Sequence, residues 1–247
     1  MSNQVVERNG GTTTFVARAP ALVAVPYLRL GRSGPVELLS NAQRVELVRS
    51  ATVREFAPRR IVYRAGAPAD SVFVIAEGVV KSYRDLASGR RRIAAFLFPR
   101  DLFGLAEAGQ YVNSVQTITP VRAYAIKVDA LAELFHREPD IETGFLCKVV
   151  HVLREAQHHN IIVGRRDAVG RFAMLLRLLE EQGSARGRKN IALPMSRSDI
   201  ANYLGLSLEA VSRASRRLER QGIVEFLGRN EARIIDRHRF EALAAAA

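Results

Sequence analysis

The chain has 247 residues, 48% of them hydrophobic and 25% charged, a balance that excludes wholesale disorder and allows one large domain or two modest ones. Cys147 is the single cysteine, which excludes a disulfide scaffold and any cluster held by several cysteines of one chain. Lys and Arg number 37 against 25 Asp and Glu, and the resulting +12 attracts polyanions such as nucleic acid.

Membranes are anionic too, but no run approaches the roughly 18 consecutive apolar residues of a span. The segment ALVAVPYLRL is broken by Pro26 and has no basic leader, so it makes a poor secretion signal. A cytoplasmic protein with no membrane partner is expected. Residues 1–35, rich in Gly, Thr and Pro without a sustained period, read as a loosely docked tail. A short helix is expected after Pro35, on Leu38, Leu39, Val45, Leu47 and Val48.

Residues 36–137 read as a β-rich domain. Short β-prone runs lie at Arg60–Arg64, Val72–Ile75, Val79–Tyr83, Arg92–Phe98, Val115–Ile118 and Val121–Val128, punctuated by Gly66, Gly78, Gly89, Gly104 and Pro120. Many short strands between turn residues predict a β-sandwich or β-roll. A short helix follows at Asp129–His136. Pro139 then opens a long one, within a segment spanning 138–164. Phe145, Val149, Val152, Ala156, Asn160 and Val163 recur there at steps of 4, 3, 4, 4 and 3, widened by Leu146, Val150 and Leu153. A seam near period 3.5 predicts pairing with a second copy, with Asn160 setting register; packing on the β domain is the alternative.

Gly164-Arg165-Arg166 reads as a hinge, and residues 165–247 as a second domain with 16 Lys and Arg against 10 Asp and Glu. Ser196 and Asp199 form an approximate capping box, so a helix should start there, with Ile200, Ala201 and Leu204 inward. Gly205 permits a sharp turn. Ser207 is a second N-cap, and its helix should run to about Gln221 before Gly222 stops it. Two short helices around a glycine turn predict a helix-turn-helix. A hairpin, Ile223–Phe226 and Ala232–Ile235 around Gly228-Arg229-Asn230, would add a wing.

On the second helix Val211, Ala214 and Leu218 are spaced to face inward, and Glu209, Ser212, Arg213, Arg216 and Arg220 outward. The first residues of such a helix reach base edges in the major groove. Arg213 can give two hydrogen bonds to guanine, Glu209 can accept one from a cytosine amino group, and Ser212 lies beside them. Arg216, Arg217 and Arg220 suit phosphates, as do Ser196, Arg197 and Ser207 at the helix starts. The plainer alternative is that Glu209 and Arg213 form a solvated i,i+4 pair.

These residues together resemble the CRP/FNR family of bacterial transcription regulators, over residues 45 to 240, with the FixK-type branch the nearest. The resemblance rests on LPMSRSDIANYLGL (193–206), Glu209-Ala-Val-Ser212-Arg213 and IIVGRRDAVGRFAMLL (161–176). In the β domain it rests on Gly66, Glu77-Gly78, Gly89-Arg90 and Phe98-Pro99-Arg100-Asp101-Leu102-Phe103-Gly104. It implies an α+β architecture: a cyclic-nucleotide-binding-type jelly roll, a long dimerisation helix and a C-terminal winged helix-turn-helix. The implied function is a homodimeric activator that recruits RNA polymerase to a TTGAT-N4-ATCAA-like palindrome.

The resemblance also marks departures. Members that bind cyclic AMP carry an arginine at the phosphate turn of the roll, where a buried phosphate needs a charge-assisted donor. The matching stretch GLAEAGQYVNSVQTIT (104–119) keeps Glu107 but has no arginine, so cyclic nucleotide binding is not expected. The N-terminal cysteines of oxygen-sensing relatives are missing. Asp167 stands where some FixK-type proteins have a redox-sensitive cysteine. Cys147 and His151 share a helix face but fall short of a metal site, so neither metal nor cofactor is expected. His158 and His159 read as solvated or interface residues.

No GxxxxGK[ST], HExxH, GxSxG or GxGxxG string organises an enzyme site. Two readings compete with the constitutive regulator: a ligand-gated member of the same family with an unidentified effector, and a signalling or scaffold module that does not bind DNA.

Overall fold

The computed structural model describes residues 24–25, 36–37, 41–165, 167–184 and 190–245. Most of the expected tail, Leu38, Leu39 and Arg166 of the expected hinge lie outside them. β1 (Ala24–Val25) pairs antiparallel with β2 (Val36–Glu37), and α1 (Asn41–Arg49) follows. The strands β3 (Ala51–Phe56), β4 (Ile61–Tyr63), β5 (Ser71–Glu77), β6 (Val80–Asp85), β7 (Arg91–Leu97), β8 (Leu102–Phe103), β11 (Ser114–Thr117) and β12 (Val121–Lys127) make two four-stranded antiparallel sheets. Their orders are β4-β11-β6-β7 and β3-β12-β5-β8, and between β8 and β11 the short strands β9 (Ala106–Glu107) and β10 (Gln110–Tyr111) pair as a hairpin. Ile75, Val80, Val115 and Ala123, all nearly inaccessible, hold the sheets face to face. This is the expected roll.

β3 is the strand that composition conceals. Four of its six residues are exposed, because it is an edge strand bound on one side only, to β12. An edge strand with little buried area carries no strict alternation.

α2 (Val128–Arg137) leads through Glu138 into α3 (Pro139–Gly164), with the proline at the first turn, where its missing N–H costs nothing. The first half of α3 lies on the β3-β12-β5-β8 sheet: Ile141, Phe145, Cys147 and Val149 join Val72, Val74, Leu102 and Ile126 in one cluster. This alters the expected seam. Phe145 and Val149 are spent on their own roll, Val152 and Val163 are half-buried, and only Ala156 and Asn160 of that row are exposed. The free apolar row is Leu146, Val150, Leu153 and Ile161, with exposures from 50% to 61%. It lies one residue, or about 100° of helix rotation, from the expected row.

Beyond α3, α4 (Ala168–Ser184), β13 (Ile191–Ala192), α5 (Arg197–Leu204), α6 (Leu208–Arg220), β14 (Val224–Phe226), β15 (Glu231–Ile234) and α7 (Arg237–Ala244) form the second unit. Its sheet runs β13-β15-β14. Phe172, Leu176, Leu204, Val211, Leu218 and Phe240 are its deepest residues. The same cluster continues into Tyr83, Ile93, Phe96 and Phe98 of the roll, so the two units share one apolar contact.

Gly78 makes the β5–β6 turn at φ +92°, and a Cβ there would stand 2.1 Å from the Pro120 carbonyl oxygen. Gly89 has a similar φ of +75° with open space around it. Gly89→Ala should therefore cost only about 1 kcal/mol of backbone strain, and Gly78→Ala more than about 2 kcal/mol. Chemical denaturation of the two variants checks this ordering.

Candidate nucleic-acid interface

The second unit has the local chemistry of a helix-turn-helix. The Ser196 hydroxyl accepts the Asp199 N–H at 3.0 Å and donates to the Asp199 carboxylate at 2.9 Å, so the start of α5 is tied from both ends. Gly205 ends α5 in the left-handed conformation, φ 64° and ψ 35°. Two residues later the Ser207 hydroxyl accepts the Ala210 N–H at 3.1 Å and starts α6. The turn between the helices is thus set by a glycine that can reverse the chain and a serine that satisfies the next helix's free donors.

α6 is divided as its spacing predicts. Val211, Ala214, Ser215 and Leu218 are buried, while Glu209, Arg213, Arg216, Arg217 and Arg220 are exposed and Ser212 is half-buried. The Glu209 carboxylate is held below the usual carboxylate range by its own backbone N–H, then by the Ser207 hydroxyl, with Arg213 adding attraction. Among the described residues Glu209 and Arg213 make no ion pair, although the Arg213 charge acts on the Glu209 carboxylate. Both side chains lie on the exposed side of α6. The helix offers one acceptor and one forked donor a turn apart, with cations further along.

Ser196 and Ser207 are exposed at the helix starts, as expected of caps, but Arg197 does not face outward. Its guanidinium is turned inward over the Phe226 and Phe172 rings, at 5.2 and 5.8 Å from their centroids. One of its terminal nitrogens is buried without a hydrogen-bond partner. Burial pushes its pKa below the usual arginine range. The aliphatic stem and flat head of arginine suit such an aromatic slot, which is why a basic residue at a helix start need not face solvent. Arg229, exposed at the tip of the β14–β15 wing, is a cation that charge spacing on α6 alone does not reveal. Across the wing Arg233 pairs with Glu225 at 2.6 Å.

α5 also faces the roll. Lys81 on β6 meets Asp199 at 2.5 Å, with side-chain exposures of only 12% and 14%. His159 on α3 stacks on Tyr203 at 4.1 Å and bonds its backbone carbonyl at 2.8 Å, while Phe96 packs on the same ring at 4.9 Å. Burial pushes the His159 pKa down, so the neutral ring donates to that carbonyl. Around the hinge, Asp167 caps the start of α4 through the Gly170 N–H. Arg171 donates to the Leu204 carbonyl at 2.9 Å, and Arg165 donates to those of Leu243 and Ala245, each at 2.8 Å. The charged face of α6 is thereby mounted on a cross-tied base.

Among the described residues no helix is long and apolar enough to cross a membrane. The profile of the cyclic nucleotide-binding domain matches residues 53–138, and that of the Crp-like helix-turn-helix domain matches residues 170–243. The chain is 32% identical over 213 residues to the transcriptional activatory protein AadR of Rhodopseudomonas palustris, covering 84% of this chain and 87% of that protein. It is 32% identical over 211 residues to the nitrogen fixation regulation protein FixK of Bradyrhizobium diazoefficiens, covering 80% and 87%. The solved structure of FixK2 from Bradyrhizobium japonicum superposes with a TM-score of 0.74 at 33% identity, over 80% of this chain and 98% of that one.

The Lys81–Asp199 contact makes its own prediction. Lys81→Met leaves a largely buried carboxylate without its cation and should cost about 3–5 kcal/mol. Asp199→Asn should cost a similar amount, and the double variant much less than the two together. Thermal denaturation of the three proteins measures the coupling, and additive losses would mean that the pair does not hold the two units together.

Proposed function

The chain belongs to the CRP/FNR family of DNA-binding transcription regulators and is of the FixK type; from that premise we propose that it is a homodimeric activator reading a TTGAT-N4-ATCAA-like palindrome. The observation that carries the base-reading assignment is the exposure of both Glu209 and Arg213 at the capped start of α6. A guanidinium there can straddle guanine O6 and N7, and a carboxylate one turn earlier can accept from the base paired with it or next to it. Ser212 lies between them. Ser196, Ser207, Arg216, Arg217, Arg220 and the wing residue Arg229 are assigned to phosphates, which give affinity without sequence information. RNA polymerase is the protein partner that activation requires.

A palindrome needs a two-fold protein. The surface that supports one is the free row of α3, Leu146, Val150, Leu153 and Ile161, with Ala156 and Asn160 at its margin. Four large apolar side chains in line on one helix are costly to leave in water, and a second α3 is their complement in shape and period. Cyclic nucleotide is not assigned to the roll, because the stretch from Gly104 to Thr119 holds no arginine to meet a cyclic phosphate.

Arg213→Ala should cost about 1–3 kcal/mol per half-site and relax preference at one base pair. Arg216→Ala and Arg220→Ala should weaken all sequences alike and lower the salt slope by about one unit per half-site. Glu209→Ala should relax discrimination with less loss of affinity, because it removes negative charge from an anionic interface. Binding across single-base variants of the palindrome at two salt concentrations checks all four. A uniform loss in Arg213→Ala with altered base preference in Arg216→Ala would mean that α6 lies rotated in the groove.

Separately, Val150→Glu with Leu153→Lys should give monomers by light scattering and abolish tight binding to the full palindrome. Dimers that persist would move the interface away from this row.

A further inference from the structure

β6 and β7 pair through Tyr83↔Ile93, Arg84↔Arg92 and Asp85↔Arg91. The rung nearest the β6–β7 turn is complementary, with Arg91 meeting Asp85 at 2.7 Å. The next rung sets two arginines directly opposite each other, and like charges so placed destabilise a ladder. Both are exposed. Among the described residues neither guanidinium has a hydrogen bond or an ion pair, although the Arg92 charge acts on His159. A sheet that needed only packing or solubility here would be steadier with an acid at one of the two positions.

The pair stands beside the helix-turn-helix. A Cβ on Gly205, in the turn between α5 and α6, would lie 2.6 Å from the Arg92 Nη1 and 3.7 Å from that of Arg171. At 2.6 Å the two could not coexist without a shift, so the glycine leaves the space that the Arg92 guanidinium occupies. Arg171 donates to the Arg165 and Leu204 carbonyls, which are neutral, so it keeps its full charge. The carboxylates at hand are taken, Asp85 by Arg91 and Asp199 by Lys81. Two guanidinium charges thus meet at the turn, with Arg84 a third beside Arg92 in the ladder.

We infer that Arg84 and Arg92 bind the phosphate backbone of DNA beside the start of α6, so that the roll itself forms part of the nucleic-acid interface. The inference rests on the DNA-binding reading of α6. A helix whose first residues enter the major groove brings the turn before it to the rim of that groove, where the phosphates run. Guanidinium suits a phosphate through its planar fork of donors. The repulsion between the two arginines is relieved in the complex, because a phosphate gives them a shared counter-charge. They touch no base, so they add affinity without sequence information.

The test measures binding of the full-length protein to a duplex carrying the palindrome, across a range of salt concentrations. Arg84→Gln and Arg92→Gln should each weaken binding to every single-base variant alike and lower the salt slope by about one unit per half-site. Arg92→Lys should keep the wild-type slope, since a lysine still meets a phosphate as a point charge. Arg84→Gln should also be at least as heat-stable as wild type, because it removes a repelling charge. Arg54→Gln, which takes the same charge from the exposed edge strand β3, should leave the slope unchanged. Three results would overturn the inference: a wild-type slope in either glutamine variant, a slope lost equally in Arg92→Lys and Arg92→Gln, or an equal loss in Arg54→Gln. Arg84→Gln decides the matter if Arg92→Gln does not fold. A wild-type protein without salt-dependent binding to the palindrome would instead remove the reading of α6 itself, and this inference with it.

Discussion

α5 serves two neighbours at once, and the position of the exposed charged face of α6 depends on that. One face, Ile200, Ala201 and Leu204, is the floor on which α6 packs. The other brings Asp199 to Lys81 and Tyr203 to Phe96 and His159. An ion pair this shielded contributes through orientation as much as through energy, because its attraction is offset by the loss of hydration while its geometry is strict. The aromatic contacts supply apolar burial beside it. The roll therefore holds the helix-turn-helix by its first helix, which leaves the charged face of α6 exposed.

The second unit was largely legible in the sequence because its signals are local. Ser196 and Asp199, Gly205, Ser207 and Gly222 are caps and turns whose effect reaches three or four residues, and the structure shows Ser196, Gly205 and Ser207 working in those roles. The roll was legible as a class, from short β-prone runs between glycines. What the sequence could not show was contact across distance. Lys81 and Asp199 are 118 residues apart, and neither carries a pattern that announces the other.

The two places where side chains pack otherwise than their spacing suggests have a common physical cause. α3 is apolar around much of its circumference, since one side meets the roll and another stands free, so several rows satisfy a period near 3.5 equally well. Choosing Phe145 and Val149 for the seam selected the row that its own sheet had already claimed. Arg197 is the same case in charge rather than hydropathy. A cation at a helix start beside a recognition helix suggests a phosphate, but Phe172 and Phe226 offered its guanidinium a flat aromatic site first. Tertiary contacts decide such cases, and local patterns do not.

The hinge completes the argument from sequence to function. α3 is 26 residues long, about 39 Å at the usual helical rise, and the second unit hangs from its far end. If that junction were loose, the distance between two recognition helices would vary freely and a fixed half-site spacing could not be selected. Gly164 by itself would favour such looseness. Arg165 opposes it by binding the carbonyls at the end of α7, Asp167 by capping α4, and Arg171 by bridging the Arg165 and Leu204 carbonyls. These bonds turn a glycine joint into a fixed elbow, and the dock between α5 and the roll braces it from the opposite side. On the proposed reading of a palindrome, spacing selectivity would then rest on backbone carbonyls and buried side chains away from α6.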